Sequence, residues 1–127
     1  MQGDAFVRAV EAAWDNAGVA LLREAAPAPF ALAVAAGAAA AGAGIPREEA
    51  ALAFLTAFCQ NGVSAAVRLA PIGQSDGLRV LAALESVVAE AAARAAGATL
   101  AEVGGLAFGA DIASMRHETQ TTRLFRS

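Results

Sequence analysis

Apolar positions along this chain recur at three- and four-residue spacing, and no stretch alternates cleanly enough to make a strand. The pattern predicts an all-α fold. Asp4 stands where it can cap a first helix running to about Asn16, with Phe6, Val10 and Trp14 along one side and Gly18 as the stop. A short helix from Val19 to Ala26 ends at Pro27. A third runs from Pro29 through an Ala/Gly tract to Gly44. Gly37 and Gly42 each cost that helix about 1 kcal/mol relative to Ala, a cost offset if they permit close helix packing. Pro46 opens the longest predicted helix, to Leu69, with Glu48 and Glu49 set against its positive end. Its apolar residues, Leu52, Phe54, Leu55, Phe58, Cys59, Val63 and Val67, spread nearly all round, which places it at the centre of a bundle.

Pro71 and Gly73 stop that helix, and Ser75 is the expected cap of the next, Asp76 to Ala96. Leu81, Leu84, Val88, Ala91 and Ala95 form its inner stripe, with Glu90 and Arg94 paired on the wet side. Gly97 ends it. Thr99-Leu-Ala-Glu102 has the form of a capping box, Gly104-Gly105 breaks the chain again, and a last helix covers Ala107 to Glu118. The expected architecture is a compact helical bundle of about five to six helices around a central long helix, as one domain over residues 1–127.

Composition narrows the function. The chain has 127 residues and a formal net charge of −3, with no clustered basic surface to hold nucleic acid. A single cysteine, Cys59, allows no internal disulfide, so a reducing cytoplasm is the expected compartment. Asp4, Arg8 and Glu11 interrupt the start of the chain where a signal peptide would be apolar. The stretch from Ala25 to Pro46 carries no charged residue, yet it is mostly Ala and Gly and is bracketed by Pro27, Pro29 and Pro46. It reads as a buried helix rather than a membrane span.

Candidate chemistry is sparse. His117 is the single histidine, so one chain offers no multi-histidine metal site. Cys59 on an apolar helix reads as a core residue, and nothing near it in sequence would lower its pKa for a nucleophilic pairing with His117. No Gly-rich loop is followed by Lys, so no P-loop is present. Gly73-Gln-Ser-Asp-Gly77 lacks a preceding strand and reads as a turn into a helix. No cofactor is expected. The end of the chain is different: Arg116, His117 and Glu118, then Leu124-Phe125 between Arg123 and Arg126, a composition suited to docking on a partner.

Two separated stretches carry a family resemblance. Gln60-Asn61, Ser64-Ala-Ala-Val-Arg68, Pro71, Gly73-Gln74 and Asp76-Gly77, then Met115-Arg-His-Glu-Thr-Gln120 and Arg123-Leu-Phe-Arg-Ser127, resemble the UreF family of urease accessory proteins. The resemblance runs from about Phe30 to Ser127 and more loosely over the first helix. It implies an all-α, dimerising adaptor that binds the accessory protein UreD (also called UreH), recruits the GTPase UreG and serves nickel delivery to apo-urease, without covalent chemistry of its own. It places Arg116, His117, Glu118, Arg123, Leu124, Phe125 and Arg126 on the UreD partner, and Arg68, Gln74 and Asp76 in a turn-and-interface role. Thr121 stands where the family has Tyr. The family also carries a further N-terminal region, so the chain reads as N-terminally truncated, with exposed apolar surface that favours self-association. The residues alone leave open a small helical enzyme using Cys59 or His117, a membrane-associated protein using the Ala25–Pro46 tract, and a generic homodimeric bundle.

Overall fold

The computed structural model describes residues 2–69, 72–105 and 107–119. Among them the chain forms helices and no strand, as the periodicity predicted. In order they are α1 (Gln2–Ala13), α2 (Ala17–Ala25), α3 (Leu32–Gly42), α4 (Arg47–Leu69), α5 (Gln74–Gly97), a 3-10 turn (Leu100–Glu102) and α6 (Phe108–Glu118). The chain divides after Gly97 into two units.

In the first unit the core lies among α1, α2, α3 and the segment leading into α3. Val7 and Val10 of α1, Val19 of α2, Phe30 and Ala35 are buried together, with Phe6, Leu22, Ala26 and Ala39 packed around them. Trp14 does not join Phe6 and Val10 there. Helix α1 ends at Ala13, and Trp14 stands 68% exposed. Glu11 of α1 and Arg23 of α2 form a two-pronged ion pair at 2.9 and 3.0 Å, and the Arg23 guanidinium also lies 5.6 Å from the centre of the Phe30 ring. Both ionic partners are partly exposed, so solvent screens the pair.

Asp4 is not a helix cap. Helix α1 begins two residues earlier, and the buried Asp4 side chain instead accepts the backbone N–H of Phe30 at 3.1 Å. Phe30 lies ahead of α3, which starts at Leu32 rather than at Pro29. The Phe30 amide holds the Asp4 carboxyl below its ordinary value of 3.8, against an opposing effect of burial. A depressed folded-state pKa stabilises the fold fully above the unfolded value, and the contribution fades as pH falls through the folded one. Asp4→Ala is therefore expected to lower the melting temperature by several degrees at pH 7. Asp4→Asn, which keeps an accepting oxygen without a charge, should keep more of it and flatten the decline below pH 4. Thermal melts followed by circular dichroism from pH 3 to 7 measure both; an Asp4→Ala melt identical to the parent would show that the bond does not hold α1 to α3.

Asn16 was expected to close the first helix and instead opens α2. Its side-chain oxygen accepts from Val19 N at 3.0 Å, and its amide donates to the Ala39 carbonyl at 2.9 Å. The crossing of α2 over α3 beside it is made by glycine. A Cβ on Gly18 would overlap the Ala38 carbonyl oxygen and sit 2.7 Å from Gly42 N. Gly42 thus plays the close-packing part that the sequence assigned to it. Gly37 does not, because the space beside it is open.

Helices α4 and α5 form an antiparallel pair, and α3 packs on α4. At the end away from the turn, Arg47 donates to the Ala96 carbonyl in the last turn of α5 at 3.0 Å. Helix α5 exceeds α4 by one residue, 24 against 23. Its first backbone bonds run to the Gly73 carbonyl, so Ser75 lies inside the first turn rather than capping it. Gly77, Val88 and Ala92 are its buried residues, with Leu81, Leu84 and Ala91 half-buried; Ala92 takes the place expected for Ala95. Helix α4 touches both α3 and α5 but has no buried residue, because within this chain those two neighbours leave the rest of its circumference open.

The Ala25–Pro46 tract yields a helix of only 11 residues, about 17 Å at 1.5 Å per residue, too short for a bilayer core of about 30 Å. By length and composition alone, α4 is long and apolar enough to cross one.

Candidate interaction surfaces

Two surfaces gather the residues with the most to offer a partner, one in each unit. The first is the elbow where α4 turns into α5. Gln60, Val63, Ser64, Val67 and Arg68 follow helical spacing down one side of α4. Gln74, Gly77, Leu78 and Leu81 do the same on α5, and together they line a groove of about 360 Å³. Its lining mixes apolar Val63, Val67, Leu78 and Leu81 with polar Gln60, Ser64, Arg68 and Gln74. Gly77 makes the approach possible: a Cβ there would meet Val67 and Val63 at 3.0 and 3.1 Å. The fold thus brings Arg68 and Gln74 together with Gln60 and Ser64. Asp76 turns aside and binds Arg79 at 2.6 Å. Arg68 Nε donates to the Ser64 carbonyl at 3.2 Å, and no described carboxylate lies within ion-pair distance of it.

Cys59 is half-buried and lines a neighbouring groove of about 280 Å³ with Leu52, Thr56, Gln60, Leu81, Leu84, Glu85 and Val88. Neither a histidine nor a cationic side chain shares that lining; its one charged residue is Glu85. Among the described residues, no three His, Cys, Asp or Glu side chains gather in a way that would hold a metal ion.

The second surface is α6. Its turn of entry carries the reach-back half of the expected capping box: the Glu102 carboxylate accepts the Thr99 backbone N–H at 2.8 Å and the Thr99 hydroxyl at 2.7 Å. Those two bonds, the backbone one first, hold Glu102 below the usual carboxylate range. Along α6, Phe108, Ile112 and Met115 recur at intervals of four and three residues, which puts them on one side of the helix. Phe108 is 67% exposed, Ile112 49% and Met115 68%.

The stripe is not among the sequence-predicted site residues, although its spacing is legible in the sequence. Arg116 and His117 lie in the last turn, where positive charge suits the helix dipole, and the Thr119 hydroxyl donates to the Arg116 carbonyl at 3.1 Å. By helical periodicity Arg116 flanks the stripe, whereas His117 falls on the far side. Glu118 is the last residue of α6. Arg123, Leu124, Phe125 and Arg126 lie outside the described residues, as does Pro71.

A family model described as UreF matches residues 1–85. A protein of Bradyrhizobium diazoefficiens named urease accessory protein UreF is 49% identical over 126 residues, covering 99% of this chain and 52% of the relative. One of the same name from Agrobacterium fabrum is 52% identical over 125 residues, covering 98% of this chain and 54% of its own. One from Methylobacterium is 48% identical over 126 residues, covering 99% and 50%. The chain thus spans about half the length of the curated relatives it matches. The likeness extends through α1, which the sequence motifs reached only loosely, and through α2. No solved structure matches the chain.

Proposed function

Since the chain belongs to the UreF family of urease accessory proteins, we propose that it is a non-enzymatic adaptor in urease maturation. In this reading it binds UreD, and the pair recruits the GTPase UreG. The assembly delivers nickel, as cargo, to apo-urease in the cytoplasm, with the adaptor working as a homodimer. The observation that carries the reading is the α6 surface. An apolar stripe that stands mostly in solvent, followed at once by a basic turn, has the character of a helix that docks in a partner's groove. Arg116 and Glu118 continue into Arg123, Leu124, Phe125 and Arg126, and this run orders on UreD. Arg68 and Gln74 serve a second contact at the α4–α5 elbow, and Asp76 fixes the start of α5.

Co-purification with UreD and UreG homologues tests the proposal, with the full-length Bradyrhizobium relative run alongside as control. Replacing Arg123 and Arg126 by Ala should weaken capture of UreD by at least about 10-fold, since each desolvated Arg contact contributes on the order of 1 kcal/mol or more. The helical circular-dichroism spectrum should not change. Unaltered affinity of the double variant, with the control binding normally, would remove the tail from the interface.

A further inference from the structure

Two apolar grooves of about 450 Å³ each flank α3 in the first unit. Phe6, Trp14 and Ile45 wall the one between α1 and α3, and Ile45 and Phe54 wall the one between α3 and α4. Ala36, Ala40 and Ile45 line both, so the grooves join over α3 into one trough. Trp14 stands 68% exposed and Ile45 45%, so the walls present large apolar surface to solvent. Each groove has a single charged residue in its lining, Asp15 in the first and Arg47 in the second. Among the described residues neither has an opposite charge within ion-pair distance. The trough is thus apolar between two unanswered charges, negative toward α1 and positive toward α4.

We propose that this trough is the seat of a helix from the part of the relatives that this chain does not match. That part is about as long as the matched one, since 126 residues cover 52% of the Bradyrhizobium protein. A helix laid over Ala36 and Ala40 can approach closely, because methyl groups alone stand between. Its side chains at three- and four-residue spacing then form two rows, one for each groove. Those rows carry large apolar residues, since the small floor leaves the volume to them. The row facing α1 also bears a Lys or Arg against Asp15, and the row facing α4 an Asp or Glu against Arg47. Arg47 donates through one guanidinium nitrogen to the Ala96 carbonyl, leaving N–H groups of its fork for a carboxylate. A small ligand of either charge would answer one groove only, whereas a helix answers both.

Single cysteines at Ala36→Cys, Ala40→Cys and Ala93→Cys, each in a Cys59→Ala background, test the seat by their rate of reaction with a maleimide. Each variant is measured as the chain alone, and again joined to the unmatched part of the Bradyrhizobium relative in that relative's order. Joining should slow labelling of Ala36→Cys and Ala40→Cys at least about 10-fold, because the thiols then react only through local opening. Ala93→Cys, exposed on α5, should label at nearly the same rate in both. Ala40→Glu should lower the melting temperature of the joined protein well beyond its effect on the chain alone, as a carboxylate buried beneath the helix would. Where the joined protein does not fold, the same cysteines at the aligned positions of the intact relative give the measurement. Equal labelling of Ala36→Cys and Ala40→Cys with and without the added part would overturn the seat. So would protection of the chain alone that rises with its concentration, which would give the trough to a second copy.

Discussion

For an adaptor that binds UreD as proposed, replacing Ile112 and Met115 together by Asp is expected to abolish that capture. Ile112 is about half exposed and Met115 more so, so the substitution removes little packing from the described fold and the helical spectrum should persist. The loss falls on the complex. An apolar anchor buried at an interface contributes about 2 kcal/mol, and two of them about 4, which corresponds to roughly a 1000-fold loss of affinity. Burying two carboxylates in the partner's groove adds to the penalty. Ala110→Asp, on the opposite side of α6 and near its N-terminus, serves as control and should leave binding within a few-fold of the parent. Titration calorimetry or biolayer interferometry with purified UreD reads the difference. Equal affinity for the stripe variant and the control would mean that α6 does not dock by its apolar side.

The second large effect concerns stability. Gly18→Ala and Gly37→Ala are the same chemical change in two helices of the same unit, and they should move stability in opposite directions. At Gly37 the added methyl meets nothing, so the intrinsic advantage of Ala over Gly applies, up to about 1 kcal/mol. At Gly18 the methyl collides with the backbone of Ala38 and Gly42, which cannot rotate away as a side chain would. Helices α2 and α3 must separate. The bond from Asn16 to the Ala39 carbonyl then breaks, and the contact of Val19 with Ala35 and Ala39 loosens. Overpacking costs about 1–3 kcal/mol and the lost hydrogen bond about 1 more, so a net destabilisation of about 3 kcal/mol is expected. Urea titrations followed by circular dichroism measure both changes; a Gly18→Ala variant as stable as Gly37→Ala would contradict the close crossing.

These cases also show what could be read from the chain unaided. Helix boundaries at Pro27, Pro46 and Gly97 were legible because proline and glycine act on the backbone locally, whatever surrounds them. Gly18 and Gly37 look alike in sequence, since only the partner helix decides which of them lies at a crossing. Asp4 shows the same limit. An Asp ahead of an apolar run fits a cap, but its real acceptor role lies with an amide 26 residues away. The apolar circumference of α4 was read correctly as pattern and wrongly as burial, because burial depends on neighbours that helical periodicity does not supply. The α6 stripe was fully visible as Phe108, Ile112 and Met115. In composition, the charged residues at the chain end, Arg116 and His117 among them, outweigh a stripe of three apolar side chains.

The bond between Arg47 and the Ala96 carbonyl has a mechanical side. Helices α4 and α5 are joined covalently at one end by residues 70–73, and the guanidinium ties them at the other. A hairpin held at a single end opens like a clasp when pushed near its free tips. Tied at both, it resists splaying and transmits a push at one tip as rotation of the whole rod. A partner gripping the elbow at Arg68 and Gln74 would thereby swing the far tips of α4 and α5 together, as a lever some 35 Å long at 1.5 Å per helical residue.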